Sequence, residues 1–156
     1  RITPKLLDEL TATAKTGDRL RKNHNFHEHY DEVCQRLLNA VEPGSYIRPH
    51  RHLFPPKPET FVALRGRMVL VTFEEDGTIA ESVPFGPGLE TVGIDIPAGV
   101  WHTIVSLESG SIFFETKPGP YHPAPEQDFA SWAPQEGSAE AAAFLARLEA
   151  RVRQQD

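Results

Sequence analysis

The sequence is poor in sulfur: its 156 residues include one cysteine, Cys34, and one methionine. An internal disulfide is therefore impossible, and a zinc site built on several thiolates is excluded. Cys34 itself is expected to pack as a small apolar residue, since no neighbour in sequence is placed to activate it. An excess of positive charge is missing too, because 16 Lys and Arg stand against 22 Asp and Glu, a formal net charge of −6. Nucleic acid and anionic membrane recruit proteins through positive charge, so neither is expected as a partner. The short basic run Arg19, Arg21, Lys22 does not reverse this. No apolar stretch approaches the ~20 residues of a membrane span, and the first residues are polar and amphipathic rather than a signal peptide. A reducing cytoplasm is the expected location.

What is present is a globular balance, 39% hydrophobic and 24% charged residues. The length suits one domain over residues 1–156, large enough to need no disulfide or metal merely to hold it together. Thr3-Pro4 followed by Leu6, Leu7, Leu10 and Ala14 predicts a capped helix over about 4–16, which Gly17 can end. Residues 18–32 have no clear periodicity, and Gln35 to Val41 is a short apolar run. From Ser45 onward, β-branched and aromatic runs alternate with Pro/Gly turns. This predicts an all-β core over about 45–117, with strands near 45–52, 59–64, 67–73, 79–84, 91–96, 102–107 and 111–117. Ser138 opens a second helix to about 153, in which Phe144, Leu145, Leu148 and Val152 share a face. Runs such as Phe61–Leu64 and Val69–Val71 are apolar on both faces. Their outer face must be covered, either by the terminal helices or by a second subunit in a homodimer.

The chemistry is concentrated in Pro49-His50-Arg51-His52, Glu59 and His102. Side chains two apart on a strand share a face, so His50 and His52 form a chelating pair. The proline-stiffened stretch Leu53–Pro58 can return Glu59 to the two rings, and His102 can close the site from across the sheet. Three imidazoles and a carboxylate suit one divalent ion such as Zn, Fe, Ni, Mn or Cu. Any one of these histidines alone would more simply be a surface or hydrogen-bonded residue; the joint pattern is what points to a metal.

That pattern, His-x-His, a Glu and Gly66, then Gly93, Pro97, Gly99 and His102, resembles the two motifs of the cupin superfamily, apart from a slightly long gap between His52 and Glu59. Gln35–Ala40, Tyr46–His52, Glu59–Phe61, Trp101–Thr103, Glu115–Tyr121 and Trp132–Pro134 look further like the WbuC family of cupin-fold metalloproteins. The resemblance implies a double-stranded β-helix, or jelly-roll, barrel flanked by N- and C-terminal helices. It also implies His50, His52, Glu59 and His102 as metal ligands and a link to sugar or O-antigen polysaccharide metabolism.

Strand parity places Tyr46 and Arg48 on the face of His50 and His52, as substrate-binding candidates. Glu115 is a third, and Arg48 paired with an interior carboxylate is the simpler alternative. Lys57 reads as a solvated loop charge, Trp101 as core, and His122 and His29 as exposed. His24 and His27 stay open between an exposed segment and a cover over the barrel mouth. The expected function is a metal-dependent cupin enzyme, an isomerase, hydrolase or oxygenase, acting on a small polar, sugar-derived molecule. A non-catalytic ligand-binding cupin and a metal-free sugar epimerase using a histidine base and a tyrosine acid are the alternatives.

Overall fold

The computed structural model describes residues 1–154. Thr3 caps the first helix, its Oγ1 accepting from Leu6 N at 3.3 Å, with Pro4 in the first turn of α1 (Pro4–Thr16). Eight strands follow in chain order: β1 (Arg21–Asn25), β2 (Cys34–Val41), β3 (Glu59–Arg65), β4 (Met68–Phe73), β5 (Ile79–Phe85), β6 (Gly93–Ile96), β7 (Trp101–Ser106) and β8 (Ser111–Pro118). A short 3-10 turn at Glu126–Asp128 and α2 (Ala139–Arg153) complete the fold.

The strands form two antiparallel sheets, one ordered β1-β2-β8-β3-β6 and one ordered β5-β4-β7. Their facing sides share one core of Val41, Phe61, Ala63, Met68, Leu70, Phe85, Ile96, Ile104 and Phe113. Both expected helices lie on the outside. Leu7, Leu10 and Ala14 of α1 pack on Leu38, Ala40 and Ile112 behind the larger sheet. Leu148 and Val152 of α2 cover Val69, Val71 and Val105 behind the smaller one. The strands apolar on both faces are thus covered within one chain, and the homodimer expectation loses the open sheet face that motivated it.

The β core begins earlier than expected. β1 and β2 lie before residue 45, and the expected strand at 45–52 is absent apart from bridges from His50 to His102 and to Phe129. Pro49, the one proline within 45–52, lacks the N–H that a ladder requires and interrupts any pairing there. The segment instead runs as irregular chain along the free edge of β7, where Thr103 Oγ1 donates to Ile47 O at 2.7 Å. Cys34 is exposed at the start of β2 rather than packed in the interior.

Candidate metal centre

The local chain path explains how four distant residues meet. His50 N donates to His102 O at 3.0 Å and His102 N donates to His50 O at 2.8 Å, which locks the irregular segment to β7. Glu59 is the first residue of β3, directly after the proline-rich turn. One ligand-type atom from each of His50, His52, Glu59 and His102 lies within 4.8 Å of all the others, and this is the cluster of that kind found among the described residues. Glu59 Oε1 is 3.1 Å from His52 Nε2, and its Oε2 is 3.1 Å from His102 Nε2. The site therefore joins the two sheets, with Glu59 from one and His102 from the other.

The orientation of the rings fixes which nitrogens face inward. His50 Nδ1 lies 3.0 Å from Arg48 O, and His102 Nδ1 lies 2.9 Å from Val100 O. A carbonyl oxygen only accepts, so each Nδ1 carries the proton and each Nε2 presents a lone pair to the cluster. His52 Nε2, His102 Nε2 and Glu59 Oε2 are buried without a hydrogen-bond partner among the described residues, although their contacts with one another are only 3.1 Å long. Buried polar atoms are rarely left so, and convergent lone pairs require something positive between them. These residues fit a divalent cation with nitrogen and oxygen ligands.

The surrounding charges agree. Burial, and then His102, pulls the His50 pKa down to about 3, which keeps the ring neutral. Burial pushes Glu59 upward, but His102, His52 and the Lys117 ammonium outweigh it and hold the carboxyl well below its ordinary value. Lys117 Nζ lies 2.8 Å from Glu59 Oε1 and 2.7 Å from Glu115 Oε1. Glu115 Oε2 also accepts from Asn39 Nδ2 at 2.7 Å. Burial raises the Glu115 pKa, with Lys117 opposing it.

The cluster opens into an interior space of about 150 Å³, lined by Glu115, Lys117 and Asn39 among others, and outward into a mouth of about 380 Å³. A larger groove of about 650 Å³ between α1 and neighbouring turns contains no cluster of metal-ligating side chains. Glu115 therefore lies in the cavity, whereas Arg48 lies at the mouth, with Nη1 3.1 Å from Glu126 Oε1 and Nη2 donating to Ala130 O at 3.0 Å. Tyr46 is not in the cavity. Its hydroxyl donates to Pro134 O at 2.7 Å and its ring packs with Ala141 and Leu145 of α2. Strand parity misplaced it because residues 45–49 do not form a strand.

Two further residues at the cavity, Lys117 and Asn39, were not among the expected site residues. Lys117 shares the inward face of β8 with Glu115 and Phe113, and an i, i+2 charged pair beside a core aromatic was the available signal. Asn39 had no such signal, since its strand shows no alternation. His27 is 7% exposed and lines a side cavity with Glu115, Lys117, Tyr30 and Tyr121, while its Nδ1 accepts from Arg36 N at 3.1 Å. His24 lies on β1 and contacts Phe26 edge-on. His29 and His122 are exposed, and Trp101 is 7% exposed beneath the Arg51 guanidinium. Lys57 Nζ donates to Pro120 O at the rim.

Solved structures show the same fold. A KdgF protein from Halomonas sp. superposes with a TM-score of 0.52 at 15% identity, over 69% of this chain and 85% of that one. An oxalate decarboxylase from Bacillus subtilis superposes with a TM-score of 0.50 at 19% identity, over 70% of this chain. This chain spans only 30% of the length of that decarboxylase. Likeness at such identities shows architecture alone, and the architecture is the jelly-roll barrel of the cupins. No curated protein matches the chain significantly. Residues 2–85, which include His50, His52 and Glu59, match the model of the family described as domain of unknown function DUF6016. That match covers more than half of the sequence, and the chain belongs to the DUF6016 family.

Proposed function

We propose that the chain is a divalent-metal cupin enzyme of the WbuC kind, acting on a small polar, sugar-derived molecule connected with surface-polysaccharide metabolism. The observation that carries the metal reading is the convergence of His50, His52, Glu59 and His102 with three buried atoms left unpartnered. The quoted WbuC-like segments, from Gln35–Ala40 to Trp132–Pro134, support the kinship and with it the sugar class and a cytoplasmic setting.

A divalent ion bound there would polarise a substrate oxygen or lower the pKa of bound water to near 7. The chain's own groups supply the rest. Lys117 compensates Glu59 and Glu115 at once and holds both carboxylates in place. Glu115, with a pKa raised by burial, is a proton-exchanging group in the same cavity. The buried walls, with Phe61, Ile104 and Phe113, exclude bulk water from the inner end. Tyr46 faces away from the cavity, which disfavours a metal-free epimerase using that tyrosine as acid.

Elemental analysis of protein purified without added metal tests the site. The expected result is close to one equivalent of a divalent metal per chain. Glu59→Gln and His102→Ala should each weaken metal affinity by at least about tenfold, a cost of roughly 1.4 kcal/mol or more. Less than about a tenth of an equivalent in the parent protein, with no recovery on reconstitution, contradicts the assignment.

A further inference from the structure

The chain is acidic overall, yet the mouth above the four-donor cluster gathers basic side chains. Arg19, Arg21, Arg48, Lys57 and Lys117 line it, against Asp128 and Glu136. Two of the five are neutralised where they stand. Arg21 Nη2 lies 2.7 Å from both carboxylate oxygens of Glu136, and Lys117 sits between Glu59 and Glu115. Asp128 is buried, its Oδ2 accepting from Leu53 N and Phe54 N at 3.4 and 3.3 Å, while its Oδ1 has no hydrogen-bond partner among the described residues.

The other three cations are poorly compensated. Arg48 pairs with Glu126, a side chain 75% exposed, and a pair so open to water holds its partner weakly. Its Nε is buried without a hydrogen-bond partner, and the guanidinium carbon lies over the Phe129 ring, 5.2 Å from its centroid. Arg19 and Lys57 have no carboxylate partner among the described residues, and the Lys57 ammonium donates to a backbone carbonyl. Arg48 is also tied to the cluster, because its carbonyl orients the His50 ring.

We infer that the mouth binds a small anion, a carboxylate- or phosphate-bearing molecule whose charged group is gripped by Lys57 and Arg48 while its remainder reaches the four-donor cluster. The inference rests on the metal-cupin reading and names the substrate class for that site. A guanidinium held on one side by Ala130 O and an ammonium lining the same mouth suit either oxyanion once it displaces the exposed Glu126, and a space of about 380 Å³ accommodates a ligand of monosaccharide size.

The test is calorimetric titration of metal-analysed protein with gluconate, glucose 6-phosphate and neutral glucose at low salt. Gluconate or glucose 6-phosphate should bind at least about tenfold more tightly than glucose, and the stronger of the two identifies the anionic group. Lys57→Gln and Arg48→Gln should each lower that affinity by about tenfold with metal content unchanged, and Lys57→Arg should largely retain it. Glucose binding as tightly as both anions, or parental anion affinity in both Gln variants, overturns the inference. Anion binding through Lys57 and Arg48 by a protein that takes up no metal would overturn the metal reading and leave the anion site standing. One equivalent of metal without anion binding would do the reverse.

Discussion

Lys117 controls the electrostatics of the cavity. Its ammonium, with the side chain 19% exposed, is shared by two buried carboxylates, Glu59 and Glu115. Removing one partner of a buried ion pair costs ~3–5 kcal/mol, because the remaining charge is left without compensation. Lys117→Met should therefore destabilise the metal-free protein by about that amount in denaturant melts, whereas the double variant Lys117→Met, Glu115→Gln should recover ~1–2 kcal/mol of it. Strictly additive effects would show that the two side chains are not coupled. At this scale the four-donor cluster was legible in the sequence, since His50 and His52 are two apart and the turn before Glu59 is short and proline-stiffened. Lys117 was not read as part of it, because its one signal, the i, i+2 pairing with Glu115, does not by itself tell an inward face from an exposed one. Tyr46 was misread because two-residue parity was extended through a segment that forms no strand and is interrupted by Pro49.

The elements most legible in the sequence were those with caps or strict periodicity. α1, α2 and the strands from β3 to β8 fall close to their expected bounds, for hydrophobic spacing and turn residues agree there. β1 was illegible because Arg21–Asn25 is polar throughout and sits at a sheet edge. β2 is buried by α1 on one side and the barrel interior on the other, which erases alternation. Two irregular segments beside the cavity are tied to each other. The loop before β2 is joined to the chain after β8 by Gly119 N donating to Val33 O at 2.9 Å, Tyr121 N donating to Tyr30 O at 2.6 Å, and the Tyr30–Tyr121 ring contact. A Cβ at Gly119 would overlap the Glu32 carbonyl oxygen, so Gly119→Ala must part the two loops. It should cost ~1–3 kcal/mol and speed amide exchange at Tyr121, measured by hydrogen exchange. Unchanged protection at Tyr121 would show that the loops are not held together there.

Tyr46 ties the irregular segment to the approach to α2. Burial, with a smaller push from Glu136 and against the pull of Arg48, raises its pKa from the ordinary phenol value to about 12. The unfolded chain therefore releases that proton first. The contribution of Tyr46 is fully present below about pH 10 and is lost as pH rises through about 12. Thermal melts should show a decline over that window that is shallower in Tyr46→Phe, and parallel curves would remove Tyr46 as its source.

At the scale of the whole molecule, a cation held by the four donors would act as a clasp between the two sheets, since Glu59 opens β3 in one and His102 lies on β7 in the other. A cation held only by the folded chain stabilises it by mass action, ~2.7 kcal/mol when the free ion exceeds its dissociation constant about a hundredfold. For a chain of this length each kcal/mol moves the midpoint by ~2–4 °C, so saturating metal should raise Tm by about 5–10 °C. Glu59→Gln should lose most of that increment. Leu148→Ala, which removes a contact between α2 and the outer face of the smaller sheet, should lower Tm through a cavity worth ~2–5 kcal/mol yet keep the metal increment in full. The comparison separates a cation bound at the clasp from one adsorbed on an acidic surface: surface adsorption would shift Tm equally in the parent protein and Glu59→Gln, and that equality would refute the clasp.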